Sequence, residues 1–469
     1  MKFIRISILL IFILLIYKIG NSQELSISFS DVGKSFRYKI PVNKCNDSTF
    51  IVKSLYEHLI SLYSKGYLAA TIDSFYSDSV QVKAYGMMGL QYKWVNIKPD
   101  SLSQRCFNDL GVRVPRNEGK IINPQRFAKL TNTIIKRLED SGYPFARVKL
   151  DSVKINRNTV DAILILEKGT KITIDTLYLK GDARVKYSYV VALLALKKGE
   201  SYSESKILSI DKKLRQQAYL SIIKPTEVEF LTHTSRLYCY LSNKSASRFS
   251  GLAGFYKDKT DDKIKLNGDL NLSLVNTMRN GEKINFAWKA PGKGTQNLNI
   301  ETDWPYTFGS QVGLLGTFSL YKHDSTYITI NPKFSLSFFT PTGGRFLLNL
   351  DYKKTSYSSI TEVQKSQYAN TSALLYGVGY EFNGLNSIVL PSRGLYFRSS
   401  LNTGNRKVKQ SSSPNSNLIE GEMLVKGFIP LSENRIILAL SSNSKIKAVY
   451  KSSGSSKLYE NEMYLIGGM

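Results

Sequence analysis

Residues 265–276, KLNGDLNLSLVN, alternate a leucine or glycine with a lysine, asparagine, aspartate or serine along most of their length. Side chains two residues apart lie on the same face of a β-strand, so this segment would have one apolar and one polar face. It predicts a strand of about 10 residues.

The same alternation recurs through the C-terminal half of the chain. It is found in residues 284–288, 298–304, 312–320, 328–338, 374–382 and 395–401. Lipid cannot hydrogen-bond to a backbone, so a strand that crosses a membrane pairs with neighbours on both sides and carries an apolar outer face. We therefore predict an antiparallel transmembrane β-barrel over residues 247–469, with about eleven strands before Ser442.

A soluble β-sandwich also alternates and is the main competing interpretation. The number of strands favours a barrel, and so do aromatic residues near predicted strand ends, where interfacial girdles lie. These residues are Trp288, Trp304, Tyr306 and Phe308. The predicted connections at 354–370 and 404–416 are long and polar, whereas those at 278–281 and 340–344 are short. Long loops on one side and tight turns on the other are typical of outer-membrane barrels.

The first 22 residues have the three parts of an export signal. Lys2 and Arg5 form a basic start, residues 6–16 are almost entirely apolar, and small residues precede a predicted cut before Gln23. The apolar run is shorter than the roughly 20 residues of a spanning helix, so residues 1–22 are interpreted as a signal peptide.

The chain is strongly basic. Its 469 residues include 64 Lys and Arg against 37 Asp and Glu, a net charge of +27. Such a charge favours contact with anionic lipid, polysaccharide or nucleic acid. Because the chain is predicted to be exported, we expect outer-membrane lipid or lipopolysaccharide as partners and no nucleic acid.

Upstream of the barrel, the sequence repeats at a constant offset of 76 residues. Leu62, Gly66, Tyr67 and Ala70 align with Leu138, Gly142, Tyr143 and Ala146, and then with Leu214, Ala218 and Tyr219. Three modules are predicted, over residues 23–94, 95–169 and 170–246.

The middle module shows the local structure most clearly. Phe127, Leu130, Ile134 and Leu138 share one face of a helix, and Gly142 follows where a helix ends in the left-handed conformation. Two strands over 147–155 and 159–167 then flank a hairpin turn at 156–158.

The third module adds the remaining elements of the repeat. A leading strand is predicted at 172–179, a first helix at 190–196 and a second helix around 207–214. The full unit is therefore β-α-α-β-β. The first module has a poorly marked leading strand near 36–42.

A single Gly-Tyr pair is a helix stop beside a core aromatic, and by itself it predicts no activity. Three copies in an exported protein resemble POTRA domains, the periplasmic modules with this order of elements. The third copy departs from the pattern because it has Ala218 in place of glycine. Modules of this kind followed by a barrel resemble the BamA/TamA superfamily of outer-membrane assembly and translocation proteins.

Two barrel motifs sharpen the resemblance. Pro391 to Gly394 looks like the Pro-x-x-Gly of the family before a barrel strand, and the stretch ending in Gly467 and Gly468 looks like the approach to its sixth extracellular loop. The resemblance implies that this chain supplies about 11 of about 16 barrel strands. A longer reading frame beyond Met469 is therefore expected.

The resemblance implies a mechanism based on backbone pairing. Edge strands of the POTRA-like modules would receive an unfolded client by β-augmentation. The first barrel strand would form a laterally opening seam, with Phe249, Gly251, Gly254 and Tyr256 as gate residues, because glycines pack little and weaken a strand. The implied partners are unfolded outer-membrane or exported proteins and possible periplasmic or lipoprotein accessory subunits, and the implied location is the cell outer membrane.

Two alternatives stay open. One is a two-partner-type secretion pore for a dedicated exported protein, and the other is a passive porin with periplasmic binding modules. Three modules favour a TamA-like over a BamA-like role.

The sequence predicts neither an enzyme nor a cofactor or metal site. His58, His233 and His323 are isolated, and the three cysteines lie far apart without metal-binding spacing. Residues 292–295 are interpreted as a hairpin turn, and the basic run 406–409 as an outer loop that could contact lipopolysaccharide.

Overall fold

A computed structural model describes most of the chain. The described residues are 22–41, 48–77, 81–113, 118–257, 264–292, 294–324, 326–340, 343–357, 367–387, 390–409, 415–432, 436–450 and 457–464. The predicted signal peptide lies almost entirely outside these ranges. The chain forms two compact units: the first contains the first two modules, and the second contains the third module together with a large sheet.

The first module contains four strands and one helix among its described residues. These are β1 (Ser22–Phe29), β2 (Lys34–Pro41), α1 (Ser48–Ser64), β3 (Thr71–Ser77) and β4 (Gln81–Met87), in the sheet order β2-β1-β4-β3. The leading strand is β1, which runs parallel to β4, so the prediction near 36–42 was wrong. That segment is β2, which adds an antiparallel strand outside β1.

The second module has the predicted β-α-α-β-β order. Its elements are β5 (Lys93–Pro99), α2 (Ser101–Asp109), α3 (Pro124–Glu139), β6 (Arg147–Asn156) and β7 (Thr159–Glu167), with the sheet order β5-β7-β6. Helix α3 begins where the side chain of Asn123 accepts a hydrogen bond from the Arg126 N–H (2.9 Å), with Pro124 in the first turn. Its predicted apolar face is confirmed, because Ile134 and Leu138 are fully buried in the module core.

The third module repeats this order. It contains β8 (Thr173–Gly181), α4 (Tyr187–Leu194), α5 (Glu204–Arg215), β9 (Leu220–Phe230) and β10 (Thr234–Asn243), with the sheet order β8-β10-β9. In both the second and the third module the leading strand is parallel to the last strand, which pairs antiparallel with the strand before it.

The Gly-Tyr pairs end the helices of the first two modules. Gly66 and Gly142 have left-handed φ values of 87° and 102°, and the N–H of the following tyrosine donates to a leucine carbonyl of the last turn. The Gly66 carbonyl accepts from the Tyr92 N–H, and the Gly142 carbonyl accepts from the Ile172 N–H, both at 2.8 Å. Each glycine therefore also fixes the segment that precedes the next leading strand.

Ala218 does not reproduce this turn. Its φ is not positive, and the bond corresponding to Tyr143 N–H to Leu138 C=O is not formed by Tyr219. The connection from α5 to β9 is shorter, and Tyr219 is instead buried and donates from its hydroxyl to that of Tyr189. Alanine suffices here because the left-handed conformation is not required.

Replacing Gly142 with alanine is expected to destabilise the first unit by about 1–2 kcal/mol, because an L-residue is strained in the left-handed conformation. Its Cβ would also lie 3.3 Å from the Ile172 carbonyl oxygen. Amide hydrogen exchange of α3 measures the effect. Gly119→Ala is the matched control, since Gly119 also has a positive φ (70°), but a Cβ there would have no atom within 4 Å. An equal effect of both substitutions would show that the close approach at Gly142 contributes nothing.

The C-terminal half is one antiparallel sheet of eleven strands, in which every strand pairs with its neighbours in sequence. The strands are β11 (Arg248–Lys257), β12 (Ile264–Val275), β13 (Lys283–Gly292), β14 (Thr295–Trp304), β15 (Val312–His323), β16 (Tyr327–Phe339), β17 (Gly344–Tyr357), β18 (Thr371–Asn383), β19 (Gly394–Val408), β20 (Asn415–Ser432) and β21 (Ile436–Tyr450). The predicted number of strands and their antiparallel order are confirmed. None of the described helices is long and apolar enough to cross a membrane.

The predicted difference in connection length between the two sides holds only in part. As predicted, the connection 358–370 after an odd-numbered strand is long and 340–343 after an even-numbered strand is short, but 293–294 and 324–326 on the first side are short and 276–282, 305–311 and 384–393 on the second are longer. The even connections lie at the end of the sheet where the third module enters. Two of them are long because they hold that module, as described below.

Candidate functional site

The sheet has an inverted distribution of polar and apolar side chains, and β17 shows it most clearly. Phe346, Leu348 and Leu350 are exposed on one face, whereas Asn349 and Asp351 are buried on the other. A water-soluble protein buries its apolar side chains and exposes its polar ones. The reverse arrangement suits a sheet whose outer face contacts hydrocarbon.

The inversion extends across the sheet in register. One row of paired residues on the outer face crosses eight strands: Trp304, Leu314, Leu336, Leu348, Val378, Leu401, Gly421 and Ile446. The adjacent row on the inner face consists of Leu315, Ser335, Asn349, Gly377, Asn402, Glu420 and Lys447. The first row is apolar apart from Gly421, and the second is polar from Ser335 onward apart from Gly377.

The inner row is held together by side-chain hydrogen bonds. Ser335 donates to Asn349 at 2.7 Å, and the Asn349 amide donates to the Asn402 carbonyl oxygen at 3.2 Å. Gly377 lies between the two asparagines, and a Cβ there would come 2.3 Å from the Asn402 side-chain oxygen. The glycine therefore allows a hydrogen bond that spans a strand, which its sequence context did not indicate.

Ion pairs neutralise several charges on the inner face. Arg345 is shared between Asp303 (2.9 Å) and Glu381 (3.1 Å). Glu420 accepts from both Lys353 (3.1 Å) and Lys447 (2.7 Å). Charges in a partly desolvated space need such partners.

A C-terminal hook, residues 457–464, lies against this polar face. Its centre is a short 3-10 turn at Glu460–Glu462. The Asn461 amide donates to the Ala369 carbonyl (2.8 Å), and Lys447 donates to the Glu462 carbonyl (2.8 Å). The hook therefore contacts both the connection before β18 and the last strand.

Arg406 anchors the hook. Only 1% of Arg406 and 8% of Glu462 is exposed, and the guanidinium forms two hydrogen bonds with the Glu462 carboxylate. Arg406 also donates to the Ser416 hydroxyl (3.3 Å) and the Lys457 carbonyl (3.2 Å). The prediction that residues 406–409 form an outer loop is wrong for residues 406–408, because β19 continues to Val408 and turns the Arg406 side chain inward.

The predicted gate residues lie on an edge strand. β11 pairs with β12, and in the described part of the chain no second strand pairs with it. Phe249 is 73% exposed, and Gly251 lies opposite Leu270 in the register. Cβ atoms at Gly251 and Gly254 would come 2.5 Å from Leu270 and 2.8 Å from Asn267, so the glycines make room for side chains of β12. Neighbouring side chains thus fill the space at both glycines, and the gate stays a prediction; Tyr256 is half-buried at the far end of the strand.

The opposite edge of the sheet, within the described ranges, is β21. Its residues 436–446 are exposed on both faces, and they include Ile437 and Leu438, which point to opposite sides. Both edges of the described sheet therefore present unpaired backbone groups beside apolar side chains. An exposed edge of this kind is a template for a further strand.

The modules also have free edges in the described sheets, and most of them are interrupted, whereas β2 of the first module pairs with β1 over eight residues without a shift. The register of β3, β6 and β9 against the neighbouring strand shifts at Ile72/Ser74, at Asp151/Lys154 and on both sides of Tyr240. Such bulges limit continuous pairing at a sheet edge. An added strand could pair with only one side of each bulge.

The structure describes one of the two predicted barrel motifs. The segment from Pro391 to Gly394 leads into β19, as predicted. The side-chain oxygen of Asn386 accepts hydrogen bonds from the Ser392 and Arg393 N–H groups (3.0 Å each) and so holds the backbone of this segment in place. Gly394 has φ 120°, and a Cβ there would lie 2.3 Å from the Gly384 carbonyl oxygen. Gly467 and Gly468 lie outside the described residues.

The predicted aromatic girdle is only partly reproduced. Trp288 lies in the middle of β13, and Tyr306 stacks on Phe339 and contacts Tyr189 of the third module. Trp304 ends β14, and Phe308 is fully exposed in the connection that follows. The position of an aromatic residue near a predicted strand end therefore does not show whether its side chain lies on the outer face of the sheet or packs against the third module.

The third module is fixed to the sheet through the two long connections. The Asn276 side chain donates to the Arg184 carbonyl (2.9 Å), and the Lys186 N–H donates to the Arg279 carbonyl (2.8 Å). Gln311 donates to the Ala192 carbonyl near the end of α4. The buried carboxylate of Glu282 accepts from the Met278 and Asn280 N–H groups and holds the first connection in shape.

Comparison with known proteins gives similarity at the level of structure. No family model and no curated protein matches the chain. It is similar to BamA from Haemophilus ducreyi lacking POTRA domains 1–3, at 17% identity and a TM-score of 0.47, over 81% of this chain and 74% of that one. It is also similar to CdiB from Acinetobacter baumannii, at 13% identity and a TM-score of 0.44, over 92% and 81% of the two chains. CdiB from Escherichia coli gives 10% identity and a TM-score of 0.43, over 89% and 77%. Because each of these TM-scores is below 0.5, the functional argument rests on the contacts of this chain itself.

Proposed function

We propose that this chain is an outer-membrane protein of the BamA/TamA superfamily, which inserts β-barrel proteins into the membrane or translocates exported proteins across it. Its three POTRA-like modules would lie in the periplasm. The observation that carries the proposal is the apolar outer row of the sheet beside a hydrogen-bonded polar inner row. A membrane-embedded barrel wall makes both rows favourable.

The proposed mechanism uses main-chain hydrogen bonds and no covalent chemistry. A client strand would pair first with a regular stretch of a module edge and then with the free edge of β11. Main-chain pairing supplies affinity with little sequence preference, which suits a protein that handles many clients. The two glycines of β11 would allow that edge to exchange partners, because they contribute no packing of their own.

Reconstitution of the chain into lipid vesicles tests the proposal. We expect an unfolded outer-membrane protein to fold faster in these vesicles than in vesicles without protein, because the free edge templates its first strand. Folding without acceleration, together with conductance of small solutes, would contradict the insertase and favour a passive porin. Transport of one exported protein without acceleration of barrel folding would favour a secretion pore.

A further inference from the structure

A large cavity lies between helices α4 and α5 of the third module and the module-side ends of strands β11–β18. Its volume is about 1160 Å³. Small-molecule sites usually have volumes of about 300–1,000 Å³, so this space is large enough for a segment of polypeptide. All of its lining residues belong to the second compact unit.

The charged residues of the lining are unbalanced. Six are basic and three are acidic. The three carboxylates are already engaged: Glu200 pairs with Lys206 (2.6 Å), and Asp303 and Glu381 pair with Arg345. The remaining basic residues form what we call the cation set: Lys197, Lys213, Arg248 and Lys283.

No carboxylate among the described residues forms an ion pair with a member of the cation set. Lys213 is the most enclosed member, and its ammonium group donates a hydrogen bond to the Leu194 carbonyl, at 3.3 Å. Burial, together with the nearby positive charge of Lys206, lowers the pKa of Lys213. A half-buried ammonium group without a carboxylate gains from an anionic partner.

The cavity also has an aromatic wall, formed by Tyr189, Tyr219, Tyr306 and Phe339. The rings of Tyr306 and Phe339 stack at 4.4 Å, and the hydroxyls of Tyr189 and Tyr219 are hydrogen-bonded to each other. This wall offers apolar ring faces beside the cation set. Such a surface suits apolar side chains that alternate with acidic ones.

We propose that this cavity receives acidic segments of the unfolded client as they pass from the modules to the sheet, with client carboxylates at the cation set and client apolar side chains at the aromatic wall. The inference rests on the proposed function and adds the chemical class of the client segment. A polypeptide fits better than a phosphate group, because phosphate sites converge several donors on one point, whereas these cations are distributed around a wide space.

Peptide binding to the full chain in detergent micelles tests the inference. The probe is a short fluorescent peptide that alternates glutamate with leucine, and the reference peptide alternates glutamine with leucine. For the acidic peptide, the variant Lys213→Gln/Lys283→Gln is expected to raise the Kd about tenfold at low salt, with a smaller effect at high salt. The control Lys212→Gln/Lys322→Gln removes the same charge from lysines outside the cavity and is expected to change the Kd by less than about twofold.

Equal weakening by both variants, or equal affinity for both peptides, would overturn the inference. The inference would also be overturned if the acidic peptide did not bind, while inorganic phosphate or phosphatidylglycerol vesicles bound in a way that depends on Lys213 and Lys283. Peptide affinity is measured without any insertion of a client protein into a membrane. The proposed function and the present inference are therefore tested independently. A chain that binds the acidic peptide but accelerates no folding contradicts only the proposed function, and the opposite result contradicts only the inference.

Discussion

Replacing Arg406 with methionine is expected to release the C-terminal hook and to destabilise the sheet by about 3–5 kcal/mol, because Glu462 would remain as a buried carboxylate without its partner. The guanidinium is almost completely buried, and its two hydrogen bonds to Glu462 join residues 56 positions apart in sequence. Urea-induced unfolding in detergent micelles measures the loss. Release of the hook is measured by the reaction of a cysteine at Tyr464→Cys with a water-soluble maleimide.

Two further variants separate the ion pair from general disruption. The double variant Arg406→Met/Glu462→Gln leaves no buried charge at either position. It is therefore expected to be more stable than Arg406→Met alone, although less stable than the unmodified chain. Arg398→Met is the matched control: this arginine lies on the same face of β19, and its pair with Glu381 is long (3.9 Å) and more exposed. We expect a cost of less than about 1 kcal/mol there. Equal losses for Arg398→Met and Arg406→Met would contradict the anchoring role of the buried pair.

Replacing Leu350 with arginine is expected to cost about 2–4 kcal/mol if the outer face of β17 lies in hydrocarbon. Leu350 is 50% exposed and is flanked on the same face by Leu348 and Tyr352. In a water-soluble protein, the same substitution at an exposed position changes stability by less than about 0.5 kcal/mol. The sign and the size of the effect therefore distinguish lipid from water as the surroundings.

Ser356→Arg is the control for the arginine itself. Ser356 lies on the same face of the same strand, beyond Lys354, where the apolar row ends. Near the interface, arginine is expected to cost only about 0–1 kcal/mol. Refolding into lipid vesicles and urea titration measure both variants. A small cost at both positions would contradict the membrane assignment.

The strand pattern was predictable because a period of two is a local property of the sequence. The row that contains Leu348 and the row that contains Asn349 follow directly from it, and so does the order of the elements in the second module. Gly142 was equally readable, because a left-handed helix end selects glycine whatever surrounds it.

Other features depend on contacts that no local pattern records. Arg406 lies in a run of polar residues, which predicts a loop. A strand that extends beyond the membrane can be polar on both faces, and its sequence then no longer alternates between polar and apolar residues. The role of Arg406 is visible only when Glu462, far along the chain, is placed beside it. The length of the 276–282 connection likewise reflects its contact with the third module.

The cavity was likewise not predictable from the sequence. Lys213 lies on a helix and Lys283 at the start of a strand, and no spacing in the sequence places them on one surface. Their common position follows from the way the third module meets the sheet.

The most direct test of the central claim compares two neighbouring positions of β17. Leu348→Cys and Asn349→Cys, each in a background with Cys45→Ser and Cys106→Ser, are labelled with a fluorophore in lipid vesicles. Cys239 remains, because burial raises the pKa of its thiol to about 11 and keeps it unreactive. We predict strong quenching by brominated lipid at position 348 and little at 349. Equal quenching at both positions, or stronger quenching at 349, would contradict the account.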